Sequence, residues 1–161
     1  MEINNKIKTS LFLSSYLDTL GFNNTVWEFN WNNKVKSLPS SNIIWLNIIH
    51  HYYSLGGKNI DLSGWTSSDD TILNMIISEG CLNGGNFNDY FKSFKKYYEI
   101  LNQPSRQAGV NTIKNLKKIF KNKKLEKMDY NKFYGGNGAA IRTAPIGLIY
   151  NKEKDIEKLI E

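Results

Sequence analysis

The stretch SSDDTILNMIIS, residues 67–78, gives the clearest indication of the fold of this chain. The serines at its start are preferred caps of a helix N-terminus, and the two acids after them suit the positive end of a helix dipole. The apolar residues that follow nearly encircle the helix axis, which is typical of a buried helix. We therefore predict a buried helix from Asp69 to about Ser78, ended by Gly80.

The same helical periodicity predicts further helices on both sides of this one. Apolar residues recur at steps of three and four in the stretches 8–20, 40–53, 86–101 and 110–127. No stretch alternates apolar and polar residues between hairpin turns, as a strand would. The length is that of one domain. The sequence therefore predicts a single all-α, multi-helix domain over residues 1–161.

The composition excludes several kinds of site and partner. Lys and Arg number 21 against 15 acids, but nearly all of the cations are lysines in an Asn- and Ile-rich chain. An AT-rich coding sequence produces that bias, so nucleic acid is not an expected partner. No apolar run approaches the ~20 residues that span a bilayer, and no signal peptide is recognisable. We expect a cytoplasmic protein without membrane contact.

Cysteine and histidine are too scarce for the common metal and relay sites. One cysteine excludes an internal disulfide and any Cys-cluster metal site. Two adjacent histidines argue against a histidine zinc site and against a Ser-His-Asp relay. Any chemistry therefore falls to carboxylates and hydroxyls.

The acidic pair Asp69-Asp70 allows two interpretations. The first is capping alone, with the serines as caps and the acids facing the helix dipole. In the second, two carboxylates flanked by hydroxyls offer Mg²⁺ the hard oxygen ligands that it prefers. A helix that is apolar all round has its terminus embedded in protein, and buried carboxylates need a partner. A cation is one such partner.

A glycine-rich segment from Gly135 to Ala140 also allows two interpretations. A plain loop is the default, because glycine chiefly serves backbone conformation. Alternatively, its backbone N–H groups approach a phosphate or a ribose. Taken singly, Asp18 and Glu28 are interpreted as surface acids. The lysine-rich stretch 114–127 is interpreted as a solvated helix face.

Several stretches, in this order, carry a resemblance to a known family. SLFLSSYLDTLG (10–21) looks like the family's opening helix, and the glutamate and phenylalanine at 28–29 follow as the pattern asks. GWTSSDDT (64–71) is similar to a W-x-x-T-D-D-T signature, and residues 106–116 match R-x-x-G-x-x-T-x-x-x-L. GNGAAIRTAPIGL (136–148) is close to G-N-G-A-A-M-R-x-A-P-L-G-L. Together these stretches resemble the ADP-ribosylglycohydrolase family.

The resemblance implies an all-α fold and a binuclear Mg²⁺ site. It implies cleavage of the glycosidic bond between ADP-ribose and a side chain or small acceptor. The expected partners are ADP-ribosylated proteins or ADP-ribose-containing small molecules. Ser68 stands where the family usually has threonine, and it keeps the hydroxyl. The positions that match the family's functional residues are Ser68, Asp69 and Asp70 as metal ligands; Glu28, Asp69 and Asp70 as catalytic residues; and Gly136, Asn137, Gly138 and Ala139 as substrate-binding residues.

The chain also departs from the family pattern. Members of the family carry a second acidic cluster of D-x-D-T form in a C-terminal half, and this sequence contains no such cluster. Leu17 replaces the glycine that usually precedes Asp18. We therefore expect one of two situations. Either the chain is a hydrolase that is active alone, as a homo-oligomer or with a separate C-terminal partner fragment, or it is a truncated, catalytically inactive relative that at most binds ADP-ribose or polyanions.

Overall fold

Every regular element in the described part of the chain is helical. The computed structural model describes residues 2–22, 49, 52–53, 56–125, 136 and 138–150. The α-helices are α1 (Glu2–Phe22), α2 (Asp69–Leu82), α3 (Phe87–Leu101), α4 (Val110–Asn122), α5 (Gly138–Ile141) and α6 (Thr143–Ile149). Short 3-10 helices cover Gly57–Asn59 and Pro104–Arg106. The predicted all-α fold is confirmed. Over these ranges, no helix combines the length and the apolar character needed to cross a membrane.

Helix α2 lies at the centre of the described fold. It packs against α3 and α6 most extensively, and it also contacts α1 and α5. Leu73 and Ile76 are 1% and 0% exposed, so one face of the central turns is closed off from water, whereas Met75 on the other side is 44% exposed. The predicted buried helix is confirmed. Its burial fixes the position of its N-terminus, where the acidic pair lies.

Helices α3 and α4 close the core around α2. Leu101 at the end of α3 and Leu116 in α4 join the buried residues of α2 in one apolar cluster. The Phe120 ring forms T-shaped pairs with Phe91 and Tyr98, with ring centroids 5.6 and 5.2 Å apart. Such edge-to-face pairs favour one relative orientation of the two helices.

The predicted helix ends were less accurate than the predicted helices. Helix α2 continues through Gly80 to Leu82, because this glycine lies under the Tyr90 ring of α3 and serves packing instead of termination. Helix α4 ends at Asn122, since Lys123 takes a left-handed conformation with φ of 53°. The predicted helix over 40–53 falls almost wholly outside the described residues.

Candidate functional site

Ser68 caps the N-terminus of α2. Its backbone is extended (φ −72°, ψ −175°), and its hydroxyl oxygen accepts a hydrogen bond from the Asp70 backbone N–H at 3.1 Å. The residue is 2% exposed. The capping interpretation is therefore correct for Ser68. Because a hydroxyl oxygen has two lone pairs, this bond leaves one acceptor position on Ser68.

Asp18 of α1 reaches across to the same cap. Its Oδ1 accepts a hydrogen bond from the Ser68 hydroxyl at 2.6 Å, and its Oδ2 accepts one from the Ser68 backbone N–H at 3.0 Å. The Thr71 hydroxyl also donates to Oδ2. The interpretation of Asp18 as a surface acid is wrong, since the residue is half-buried and bonded to the start of α2.

The segment that follows α3 is hydrogen-bonded to the residues that precede α2. The Arg106 guanidinium donates to the Ser67 carbonyl oxygen at 2.6 Å and to the Ser67 hydroxyl at 3.0 Å. Three residues on, the Gly109 backbone N–H donates to the Asp69 carboxylate. Gln107 between them has φ of 57°, a left-handed conformation that is uncommon outside glycine and is found often at functional sites.

The acidic pair lies in an environment that opposes its negative charge. Burial, followed by the neighbouring Asp70, raises the pKa of Asp69 to about 6, although the Gly109 bond acts in the opposite direction. Burial, followed by Asp18, raises the pKa of Asp70. Asp18 thus acts on both Asp69 and Asp70 at the start of α2. This arrangement favours a cation beside them.

Arg142 supplies a positive charge near this cluster. Its Nε donates to the Gly138 carbonyl oxygen, which joins α5 to the guanidinium. Burial lowers the pKa of Arg142, and the Asp69 carboxylate acts against that shift. The guanidinium therefore lies within electrostatic range of Asp69 and of the glycine-rich segment.

One cavity of about 980 Å³ joins these features. The acids Asp69 and Asp70 line it together with Arg142 and with three residues of the glycine-rich segment, Gly136, Gly138 and Ala139. The cavity is also lined by five aromatic residues, which are Phe87, Tyr90, Phe91, Phe94 and Phe120. The cavity therefore combines a charged region with an apolar one.

The predicted site residues divide into two groups. The structure brings together six of them at the cavity or directly beside it, namely Ser68, Asp69, Asp70, Gly136, Gly138 and Ala139. Glu28 and Asn137 lie outside the residues that the structure describes, so their positions stay predictions. The roles assigned to all eight residues also stay predictions.

Sequence reasoning missed Arg106 and Arg142 as members of this site. A signal was present, because they are the only arginines in a chain whose other cations are all lysines. A planar guanidinium can bond to two oxygens or a carbonyl in ways that a lysine ammonium cannot reproduce. An arginine in a lysine-rich sequence therefore indicates a position that requires the bonding geometry of a guanidinium.

The donor set at the start of α2 fits Mg²⁺ in chemical type. Carboxylate and hydroxyl oxygens are hard ligands, and Mg²⁺ commonly binds to one or two carboxylates and keeps several waters. Among the residues described, no group of three Asp, Glu, His or Cys side chains could hold a metal ion. At the start of α2, the residues that would hold Mg²⁺ are Asp69 and Asp70, with hydroxyl oxygens beside them.

The chain is similar to known proteins along most of its length. An Acanthamoeba polyphaga mimivirus protein provisionally named ADP-ribosyl glycohydrolase L444 is 33% identical over 161 residues, which cover 94% of this chain and 30% of that protein. ADP-ribosylhydrolase ARH1 of Dictyostelium discoideum is 27% identical over 168 residues, covering 96% of this chain and 40% of that protein. The chain thus spans less than half the length of either relative.

The family assignment rests on the whole chain. No solved structure matches the chain significantly. The sequence profile of the ADP-ribosylglycohydrolase family, in contrast, matches residues 2–161. By that match, this chain belongs to the ADP-ribosylglycohydrolase family.

Proposed function

We propose that this chain binds Mg²⁺ at Asp69 and Asp70 and contributes to hydrolysis of the glycosidic bond between ADP-ribose and a protein side chain or small acceptor. The observation that carries the proposal is the shared cavity of the acidic pair and the glycine-rich segment. Family membership supports the reaction class.

The size and lining of the cavity support a nucleotide-sized ligand. Ligand pockets commonly measure ~300–1,000 Å³ and pair apolar walls with a few polar groups. At about 980 Å³, this cavity lies at the upper end of that range. Gly136, Gly138 and Ala139 line the cavity together with Arg142, and backbone N–H groups and a guanidinium are suited to an anionic diphosphate.

The carboxylates suit the charge that this reaction develops. Breaking the bond at the anomeric carbon gives the ribose oxocarbenium character. Asp69 and Asp70, half-buried and held on a rigid helix, stabilise positive charge without needing to reorganise. Bound Mg²⁺ would orient the ribose hydroxyls and activate a water molecule. Glu28 is proposed as the general acid or base, as the family resemblance implies.

An assay of ADP-ribose release tests the proposed function. The substrates are peptides ADP-ribosylated on arginine or on serine, with Mg²⁺ present and with or without a C-terminal fragment of a relative. We expect D69N and D70N each to lower the release rate at least 100-fold, because each loses a charged ligand. Glu79→Gln removes the same charge ten residues, or ~15 Å, further along α2 and should retain the wild-type rate.

Two results would contradict the proposal. One is equal release by wild type and by both aspartate variants. The other is no release from either substrate in any combination. In that second case, calorimetry that finds ADP-ribose binding independent of Mg²⁺ would favour the catalytically inactive relative instead.

A further inference from the structure

We propose that Asp18 is a positioning residue of the cation site: it accepts hydrogen bonds from the Ser68 and Thr71 hydroxyls and so leaves both hydroxyl oxygens able to act only as acceptors toward other groups. The proposal rests on the proposed Mg²⁺ site at the start of α2. In this proposal Asp18, a residue of α1, shapes the site but is not itself a metal ligand.

The hydrogen bonds of Asp18 leave it little capacity for a metal. A carboxylate offers about four lone-pair positions. Three are occupied, one by the Ser68 hydroxyl, one by the Ser68 backbone N–H and one by the Thr71 hydroxyl. All three partners belong to the first residues of α2 or its cap. Asp18 is therefore committed to the helix terminus.

The consequence falls on the two hydroxyl groups. A serine or threonine hydroxyl has one proton to donate, and its direction is free unless an acceptor fixes it. Here both hydroxyl groups donate their hydrogen bond to the carboxylate of Asp18. The remaining hydrogen-bonding capacity of Ser68 and Thr71 is lone pairs alone, which is what a hard cation requires of an oxygen ligand.

Asp18 also acts on the site through its charge. Its carboxylate contributes to the raised pKa of both Asp69 and Asp70, so it adds to the negative potential there. Replacing Asp18 by asparagine would remove that charge as well as the hydrogen-bond acceptor. A single variant cannot separate the two effects, whereas a double-mutant cycle can.

The cycle combines Asp18→Asn with Ser68→Ala in the full chain and measures Mg²⁺ affinity by calorimetry without substrate. Partners that orient metal ligands typically account for ~10–100-fold in affinity, so we expect each single variant to weaken binding by that order. The double variant should bind no more than about twofold more weakly than the weaker single variant, because both changes remove the same oriented hydroxyl. Glu79→Gln is the charge-matched control and should bind as wild type does.

If circular dichroism shows that Asp18→Asn has lost its helical structure, two neutral substitutions test the proposal instead. Ser68→Ala and Thr71→Val leave the charge of Asp18 in place and remove one oriented oxygen each. We expect both to weaken Mg²⁺ binding at least fivefold.

Several outcomes would overturn the positioning role. Effects of Asp18→Asn and Ser68→Ala that multiply would show that Asp18 acts by charge alone, and unchanged binding in Asp18→Asn would show no role. Unchanged binding in both neutral variants would also overturn it. These outcomes leave the Mg²⁺ site standing, whereas a wild-type chain that binds no Mg²⁺ removes both the site and the positioning role.

Discussion

Asp69 shows how the site works against the stability of the fold. Its carboxyl group is shielded from water and stands beside two other carboxyl groups, which raises its pKa to about 6. The Gly109 backbone N–H offsets only part of this effect. A carboxyl group at a helix start whose ionisation is disfavoured by its surroundings indicates a functional role.

In metal-free protein, this shift makes the free energy of unfolding depend on pH. The pKa of Asp69 is about 6 in the folded chain and ~3.9 in an unfolded one, so the folded state binds more protons between these values. The contribution of Asp69 to stability is therefore greatest at or below pH ~4 and falls as pH rises to 6. After a discount for solvent screening, the loss is about 1–2 kcal/mol. Urea unfolding in EDTA from pH 4.5 to 7.5 measures it.

The Asp69→Asn variant is the control for this pH dependence. Lacking the titrating carboxyl, it should lose the Asp69 part of the slope and exceed wild type in stability at pH 7. Parallel pH profiles for the two proteins would contradict the assignment of the slope to Asp69.

Single residues differ in how far the sequence reveals them. Asp69 and Asp70 could be predicted as site residues because capping preference and family pattern lie in one short stretch. Asp18 could not be placed from its neighbours alone, since its partner Ser68 lies 50 positions away along the chain. Only packing of α1 against α2 brings the two together.

At the scale of elements, Gly80 decides how closely α2 and α3 approach. It is buried inside α2, and the side of the Tyr90 ring occupies the place that a Cβ atom would take. Tyr90 also bonds through its hydroxyl to the Cys81 sulfur at 3.1 Å. The ring therefore packs against Gly80 while its hydroxyl is bonded to Cys81, which restricts its movement away from α2.

We expect Gly80→Ala to destabilise the protein by about 1–3 kcal/mol, because the added methyl group must displace a packed ring. The matched control is Gly147→Ala in α6, where nothing lies within 4 Å of the added atom. There the better helix propensity of alanine should stabilise by about 0.5–1 kcal/mol. Chemical denaturation of the three proteins gives both values. Equal effects of the two substitutions would show that the Tyr90 contact is not limiting.

The same residue explains what periodicity predicts and what it does not. The apolar spacing that predicts α2 is local, so the existence and burial of the helix could be predicted. Its end depends on whether a glycine is needed for chain reversal or for a neighbouring ring, and that neighbour is on another helix. Likewise, the left-handed Lys123 gave no sequence signal of the kind that glycine gives.

At the scale of the molecule, the candidate site stands at one end of the central helix. Helix α2 contacts α1, α3, α5 and α6, and its buried residues form the core with Leu101 and Leu116. Binding of a cation at the start of α2 is thereby coupled to the stability of the whole described fold. Sequence periodicity predicted the helices, but their convergence on α2 follows from packing.

This coupling predicts that Mg²⁺ stabilises the entire chain. A ligand that binds only the folded state at 100 times its Kd adds about 2.7 kcal/mol, which corresponds to roughly 5–10 °C in Tm for a domain of this size. Scanning calorimetry at pH 7 should show one transition that moves upward with Mg²⁺ and returns with EDTA. The double variant D69N/D70N should melt at one temperature in both conditions, since it lacks the charged ligands, and NaCl at matched ionic strength should not reproduce the shift. An equal shift in wild type and double variant would place the bound cation elsewhere on the protein.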